Sequence, residues 1–165
     1  MSITRQGFLK TAFGAGAAFA GGCLGTRNAP PARPARTAGR LRVALIGVGG
    51  QGLANLKAVA DAADAAEPVA LCDVDETALL AARDRVARQA PGVRLYKDFR
   101  VLLDAERALD AVFLSTPDHG HALQAAWAMA AGCDLYIEPP VARTLGEAAR
   151  IQALARQRGA RVQVG

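Results

Sequence analysis

Three glycines at the spacing Gly47-x-Gly49-x-x-Gly52 stand directly after an apolar run, LRVALI, and a carboxylate, Asp73, follows 21 positions after the last of them. That combination suits the diphosphate and ribose of an adenine dinucleotide. Gly47 permits a tight turn, Gly49 lets the backbone come close to a pyrophosphate, and Gly52 lets the next helix pack against the strand, with phosphate charge held at the helix N-terminus. Val48, Gly50 and Gln51 complete the loop. Asp73 is placed to accept both ribose hydroxyls and to repel a 2′-phosphate. No arginine follows it directly, so NAD is expected over NADP. The competing role for Asp73 is a turn residue or cap before a helix that begins near Asp75.

Two other stretches are chemically unusual: residues 115–121, STPDHGH, and residues 136–140, YIEPP. A strand reaching Glu138 must stop, because Pro139 and Pro140 donate no N–H and a proline holds the residue before it extended. His119 and His121 are too close together to make a metal site without further ligands, and the chain has no third histidine. No metal ligand is assigned. Asp118 reads as an N-cap for a helix starting near Gly120, which would leave His119 on the surface of its first turn.

The elements around these residues alternate. After the glycine turn, Leu53, Leu56, Ala60 and Ala63 recur at helical spacing. Then come a strand over 68–73, a helix over 75–90, a strand over 93–96, a helix over 98–105 and a strand over 109–115. A helix over 121–132, a strand over 134–138, a helix over 144–159 and a strand over 161–165 complete the pattern. Near-continuous apolar strands joined by helices predict an α/β fold, a doubly wound parallel six-stranded sheet of order 3-2-1-4-5-6. Ligands of such sheets bind at the carboxyl ends of the strands, where the glycine turn, residues 115–121 and residues 138–140 all fall. Cys72, Phe113 and Trp127 read as core.

The 165 residues, 52% hydrophobic and 21% charged, suffice for one domain with a real core. The formal charge of +5 is unevenly placed. Six of the 20 basic residues and none of the 15 acidic ones lie within residues 1–40, which leaves 14 basic against 15 acidic from Leu41 onward. A near-neutral folded part without an aromatic-interleaved basic stripe argues against nucleic acid. Three scattered cysteines form neither a disulfide framework nor a zinc spacing.

Residues 1–40 read as a signal and linker, and residues 41–165 as the folded domain. A charged start, TRQGFLK, precedes an uncharged run of 12 residues, TAFGAGAAFAGG, too short to span a bilayer. The first stretch resembles a twin-arginine export signal, with Gln6 where the second arginine belongs. Cleavage after Ala20 and a periplasmic or exported product are expected. Lipid anchoring at Cys23 is the alternative, weakened by Ala20 at the position where a lipobox has a large apolar residue. The Pro/Ala/Arg stretch over 29–40 buries too little apolar surface to fold.

From Leu41 to Gly165 the chain resembles the Gfo/Idh/MocA oxidoreductases, the family of glucose-fructose oxidoreductase and inositol dehydrogenase. The resemblance rests on GVGGQG, CDVD, STPDHGHALQAAWAMAAGCDLYIEPP and the closing VQVG. It implies that a Thr-Pro-Asp-x-x-His motif after strand four and a Glu-Lys-Pro motif after strand five line the dinucleotide cleft. Thr116, Pro117 and His121 match the first, and Glu138 and Pro140 match the outer members of the second. His121 is thereby given a place in the cleft, with simple packing as its other reading. The cofactor-binding set is Gly47, Val48, Gly49, Gly50, Gln51, Gly52, Asp73, Ser115, Thr116, Pro117, His119, His121, Glu138 and Pro139.

The family's lysine, which reaches toward nicotinamide and substrate, is replaced here by Pro139. Proline has no donor, no charge and no reach, so no catalytic residue is assigned. Family members also continue into a second α/β domain that carries the substrate pocket and form homo-oligomers at full length. This chain is expected to be an N-terminal piece, inactive alone. The resemblance implies an oxidoreductase acting on a sugar or polyol by hydride transfer. The alternatives are an NAD-dependent glycosidase of the same superfamily and a non-catalytic NAD or sugar binder.

Overall fold

A computed structural model describes residues 39–165. The leader, the Cys23 lipidation position and nearly all of the linker lie outside the described residues. Arg40 is described: its guanidinium pairs with the Glu67 carboxylate and donates to the Ala63 carbonyl at 3.4 Å.

Six parallel strands and five helices alternate among the described residues. They are β1 (Leu41–Ile46), α1 (Gly50–Asp61), β2 (Ala66–Cys72), α2 (Glu76–Val86), β3 (Arg94–Tyr96) and α3 (Phe99–Ala105), followed by β4 (Ala111–Leu114), α4 (Asp118–Ala130), β5 (Asp134–Ile137), α5 (Leu145–Arg158) and β6 (Val162–Val164). The sheet order is β3-β2-β1-β4-β5-β6, as the alternation predicts. Strand residues divide by parity, because successive side chains point to opposite faces. Val43, Leu45, Leu71, Phe113 and Tyr136 pack against α1 and α2, while Ala44, Ile46, Cys72, Leu114 and Ile137 pack against α3, α4 and α5. Both faces are covered, which is why the strands read as unbroken apolar runs.

Local chemistry sets most of the ends. Asp75 caps α2 by accepting from Thr77 N–H at 2.8 Å, and Asp98 caps α3 by accepting from Arg100 N–H at 2.8 Å. Thr144 and Glu147 form a reciprocal capping box on α5, which stops at left-handed Gly159. Pro68 lies inside β2, where the register against β1 shifts between Val43 and Ala44. Such an irregularity accommodates a residue that cannot donate to the ladder.

Three expectations change. The first helix ends at Asp61 and buries Gly52, Asn55, Leu56, Val59 and Ala60, so Ala63 is neither helical nor buried. Asp118 is the first residue of α4 and not its cap; Pro117 holds the cap position without a side-chain bond. Trp127 is 46% exposed, because the buried stripe of α4 runs through His121, Ala125, Ala128 and Met129 and passes beside it. Its indole meets Phe99 edge-on, with centroids 6.2 Å apart.

Candidate functional site

The strand order reverses between β1 and β4, and the loops leaving those strands lie against each other. Ile46 pairs in register with Leu114, and the Ser115 N–H donates to the Ile46 carbonyl at 2.9 Å. Gly47 has φ +83°, and a Cβ there would lie 2.7 Å from the Ser115 carbonyl. A Cβ on Gly52 would lie 2.0 Å from the Gly47 carbonyl oxygen. Only hydrogen fits at these two positions, so α1 starts hard against the end of β1. Gly49 differs, since a Cβ there would meet nothing within 4 Å. It faces open space, and the N-terminus of α1 has neither a side-chain cap nor an acidic first-turn residue. Uncapped N–H groups at such a helix end favour an anion.

Asp73 closes the other side of this loop. Its Oδ2 accepts from the Val48 N–H at 2.8 Å and its Oδ1 from the Asp75 N–H at 3.0 Å. Each carboxylate oxygen has a second lone pair left for a ligand hydroxyl. The local-turn role and the ligand-facing role therefore coexist. The Val48 side chain is in the core, 1% exposed, and only its backbone joins the loop.

A cleft of about 410 Å³ opens between these loops, with Gly47, Gly49, Asp73, Ser115, Thr116 and Pro117 on its walls. Cys72, Val74, Lys97, Asp98, Phe99, Arg100 and Gln124 complete the lining together with Ile46. The Lys97–Arg100 segment, brought in by β3, escaped the sequence reading because it lies at least 24 residues from Asp73. Burial, then the charges of Asp73 and Asp98, push the Cys72 thiol up to about 12. Hydrogen bonds from Arg100 hold Asp98 down at about 2. A larger groove of about 700 Å³ along α5 has Arg156 as its one charged lining residue and lacks convergent polar groups.

Behind the cleft lies a junction absent from the sequence reading. Asn55, fully buried on α1, donates from Nδ2 to Ser115 Oγ at 2.9 Å and to Glu138 Oε1 at 2.7 Å. Gln51 Nε2 reaches the same Glu138 oxygen at 3.4 Å. The helix after the glycine turn is thereby tied to the ends of β4 and β5. A polar Asn inside the small-residue face of α1 was the available signal.

His121 is 1% exposed, and its ring bridges two loops. Nδ1 lies 2.8 Å from the Pro140 carbonyl oxygen and Nε2 lies 2.7 Å from that of Thr116. It shapes the loops from below. Thr116 is oriented in turn by donating to Gln124 Oε1 at 2.6 Å. His119 and Pro139 are exposed, outside the cleft lining, and the Pro139–Pro140 peptide is cis.

Residues 41–165 match the Gfo/Idh/MocA oxidoreductase family, NAD-binding Rossmann fold. D-apiose dehydrogenase of Paraburkholderia graminis is 37% identical over 129 residues, 78% of this chain and 32% of that protein. A glycosyl hydrolase family 109 protein of Stenotrophomonas maltophilia is 37% identical over 110 residues, 62% of this chain and 24% of that protein. Among solved structures, the WlbA dehydrogenase of Bordetella pertussis, in complex with NADH and UDP-GlcNAcA, superposes with a TM-score of 0.68 at 30% identity, covering 76% of this chain and 37% of that one. The chain thus spans about a third or less of the length of these relatives. The glycine cradle, the carboxylate at the end of β2 and the matched residues agree: the chain belongs to the Gfo/Idh/MocA oxidoreductase family and is an NAD-binding Rossmann domain of it.

Proposed function

We propose that this domain serves an oxidoreductase that transfers hydride between NAD and a sugar or polyol, with NAD preferred over NADP. The observation that carries the reading is the position of Asp73, bonded to the Val48 N–H at the edge of the cleft where Gly49 leaves room. The backbone of residues 47–49 and the start of α1 hold the diphosphate, and Asp73 accepts from the ribose hydroxyls. Ser115, Thr116 and Pro117 form the opposing wall. Glu138 and Pro139 stand at the far end, with Asn55 and Gln51 fixing Glu138. When bound, NAD supplies the hydride acceptor. Pro139 contributes no proton donor or acceptor, so proton transfer falls to groups on the second domain expected from the family.

Calorimetric titration of the chain tests the cofactor side. NAD should bind with NADP at least about tenfold weaker, a difference of about 1.4 kcal/mol. Equal or tighter binding of NADP would sink this preference. The similarity to a glycosyl hydrolase family 109 protein supports a second reading, in which the cofactor cycles without net turnover. Accumulation of NADH with a free sugar or polyol would decide for the oxidoreductase.

Residues 1–40 are proposed as an export leader and linker, with a periplasmic product. The supporting features are the Lys/Arg start, the short apolar run and Ala18-Phe19-Ala20. Fractionation of cells producing a tagged chain would place the product, and a lipid-modified Cys23 would show as membrane-fraction label.

A further inference from the structure

We infer that the wall bearing Asp73 is a masked 2′-phosphate site, in which Lys97 is the phosphate-binding residue and the charge of Asp73 alone keeps it from acting. The inference rests on the reading of this cleft as a dinucleotide site. β2 and β3 pair in register through Cys72 and Tyr96, and the Asp73 N–H donates to the Tyr96 carbonyl at 3.2 Å. Asp73 and Lys97 are therefore the next residues on two adjacent strand ends, and both line the cleft. Neighbours at such positions stand about 5 Å apart along the backbone, within reach of one ligand group.

The charges on this wall are unequally matched. Lys97 Nζ lies 2.7 Å from Glu76 Oε2, at the first turn of α2. Arg100 Nη2 lies 2.6 Å from Asp98 Oδ2. Asp73 pairs with no cation among the described residues; its oxygens accept backbone N–H groups from Val48 and Asp75. Two cations, each with its own carboxylate, and one carboxylate without a counter-ion leave the wall net negative. That repels a phosphate dianion and accepts a free hydroxyl.

The Lys97–Glu76 pair is solvent-exposed on both sides, 61% and 65%. Pairs of this kind hold weakly, and an ammonium on a four-carbon stem changes partner readily. A 2′-phosphate arriving beside an uncharged residue 73 would take Lys97 from Glu76. Arg100, held by several bonds to Asp98, stays where it is and adds only to the local field. Cofactor choice in this chain is thus a one-charge decision, since the cation that NADP requires is already in place.

The test is calorimetric titration of the full chain with NAD, NADP and the smaller probe 2′,5′-ADP. Asp73→Asn removes the charge and keeps an oxygen that can accept from the Val48 N–H. It should raise the NADP-to-NAD affinity ratio by at least about tenfold and make NADP binding salt-sensitive. Adding Lys97→Gln should abolish that gain, including the gain for 2′,5′-ADP. Asp73→Ser provides a second route to the same loss of charge should the first variant fold poorly. An unchanged ratio in both Asp73 variants, or a gain that survives Lys97→Gln, overturns the inference. Failure of the unaltered chain to bind NAD at all would instead remove the dinucleotide reading beneath it.

Discussion

Asn55 Nδ2 lies 2.7 Å from Glu138 Oε1, joining α1 to the end of β5 across 83 positions of sequence. Both residues flank the loop of β4, and Asn55 also holds Ser115. The start of α1 and the end of β5 therefore cannot shift independently, although one belongs to the glycine turn and the other to the Glu-Pro-Pro turn.

Replacing Asn55 by Leu should destabilise the domain by about 1.5–3 kcal/mol, the worth of a hydrogen bond to a charged group. Urea unfolding measures it. A variant as stable as the parent would show that the bond contributes nothing net.

Gly52 and Gly49 should respond oppositely to alanine. Gly52→Ala drives a methyl group against the Gly47 carbonyl, 2.0 Å from its oxygen, and should cost about 1–3 kcal/mol or more, as overpacking does. Gly49→Ala meets open space and should leave stability within about 0.5 kcal/mol. It should nevertheless weaken NAD binding by about tenfold or more, since the methyl group occupies the ligand's side. Parallel melting and titration curves of the two variants separate folding from binding.

Asp98 sets a window in acid. Its carboxyl is held at about 2 by hydrogen bonds from Arg100, below the ordinary 3.8. A group lowered on folding contributes stability that is fully present above its unfolded value and lost as pH falls through the folded one. The parent should therefore lose this contribution between pH 4 and pH 2, and Asp98→Asn should flatten that part of the melting-temperature profile. Identical profiles would dismiss the cap as a source of acid sensitivity.

Cys72 lines the cleft without being reactive. With its thiol pushed up to about 12, chiefly by burial, almost none is thiolate at pH 8. Iodoacetamide should leave Cys72 unmodified in the native chain and label it after unfolding, read by peptide mass. Rapid native labelling would contradict the burial.

Pro139 occupies the position of the family lysine. In a fusion that supplies a family-type second domain after Gly165, Pro139→Lys should raise NAD reduction with hexoses or inositols by about 10²–10⁴-fold, the range for a positioned acid or base. The assay is NADH absorbance. Equal turnover by the proline form would show that the lysine is dispensable.

Periodicity and turn chemistry alone determined the element sequence and strand order of this protein. Unbroken apolar strands admit only a sheet covered on both sides, and Gly47, Gly52 and Gly159 mark places where a side chain cannot go. The glycine turn, Asp73, and the stretches from Ser115 and Glu138 were legible because each lies at a strand end and differs in chemistry from the apolar run before it. Helix ends and exposure were less so: Ala63, Asp118 and Trp127 turned on a single residue of helical phase, which a short amphipathic pattern does not resolve. What only the tertiary structure decided are the pairings between distant segments. Asn55 with Glu138, His121 with the carbonyls of Thr116 and Pro140, and Lys97 beside Asp73 arise from register and crossover, so no local pattern in the chain encodes them.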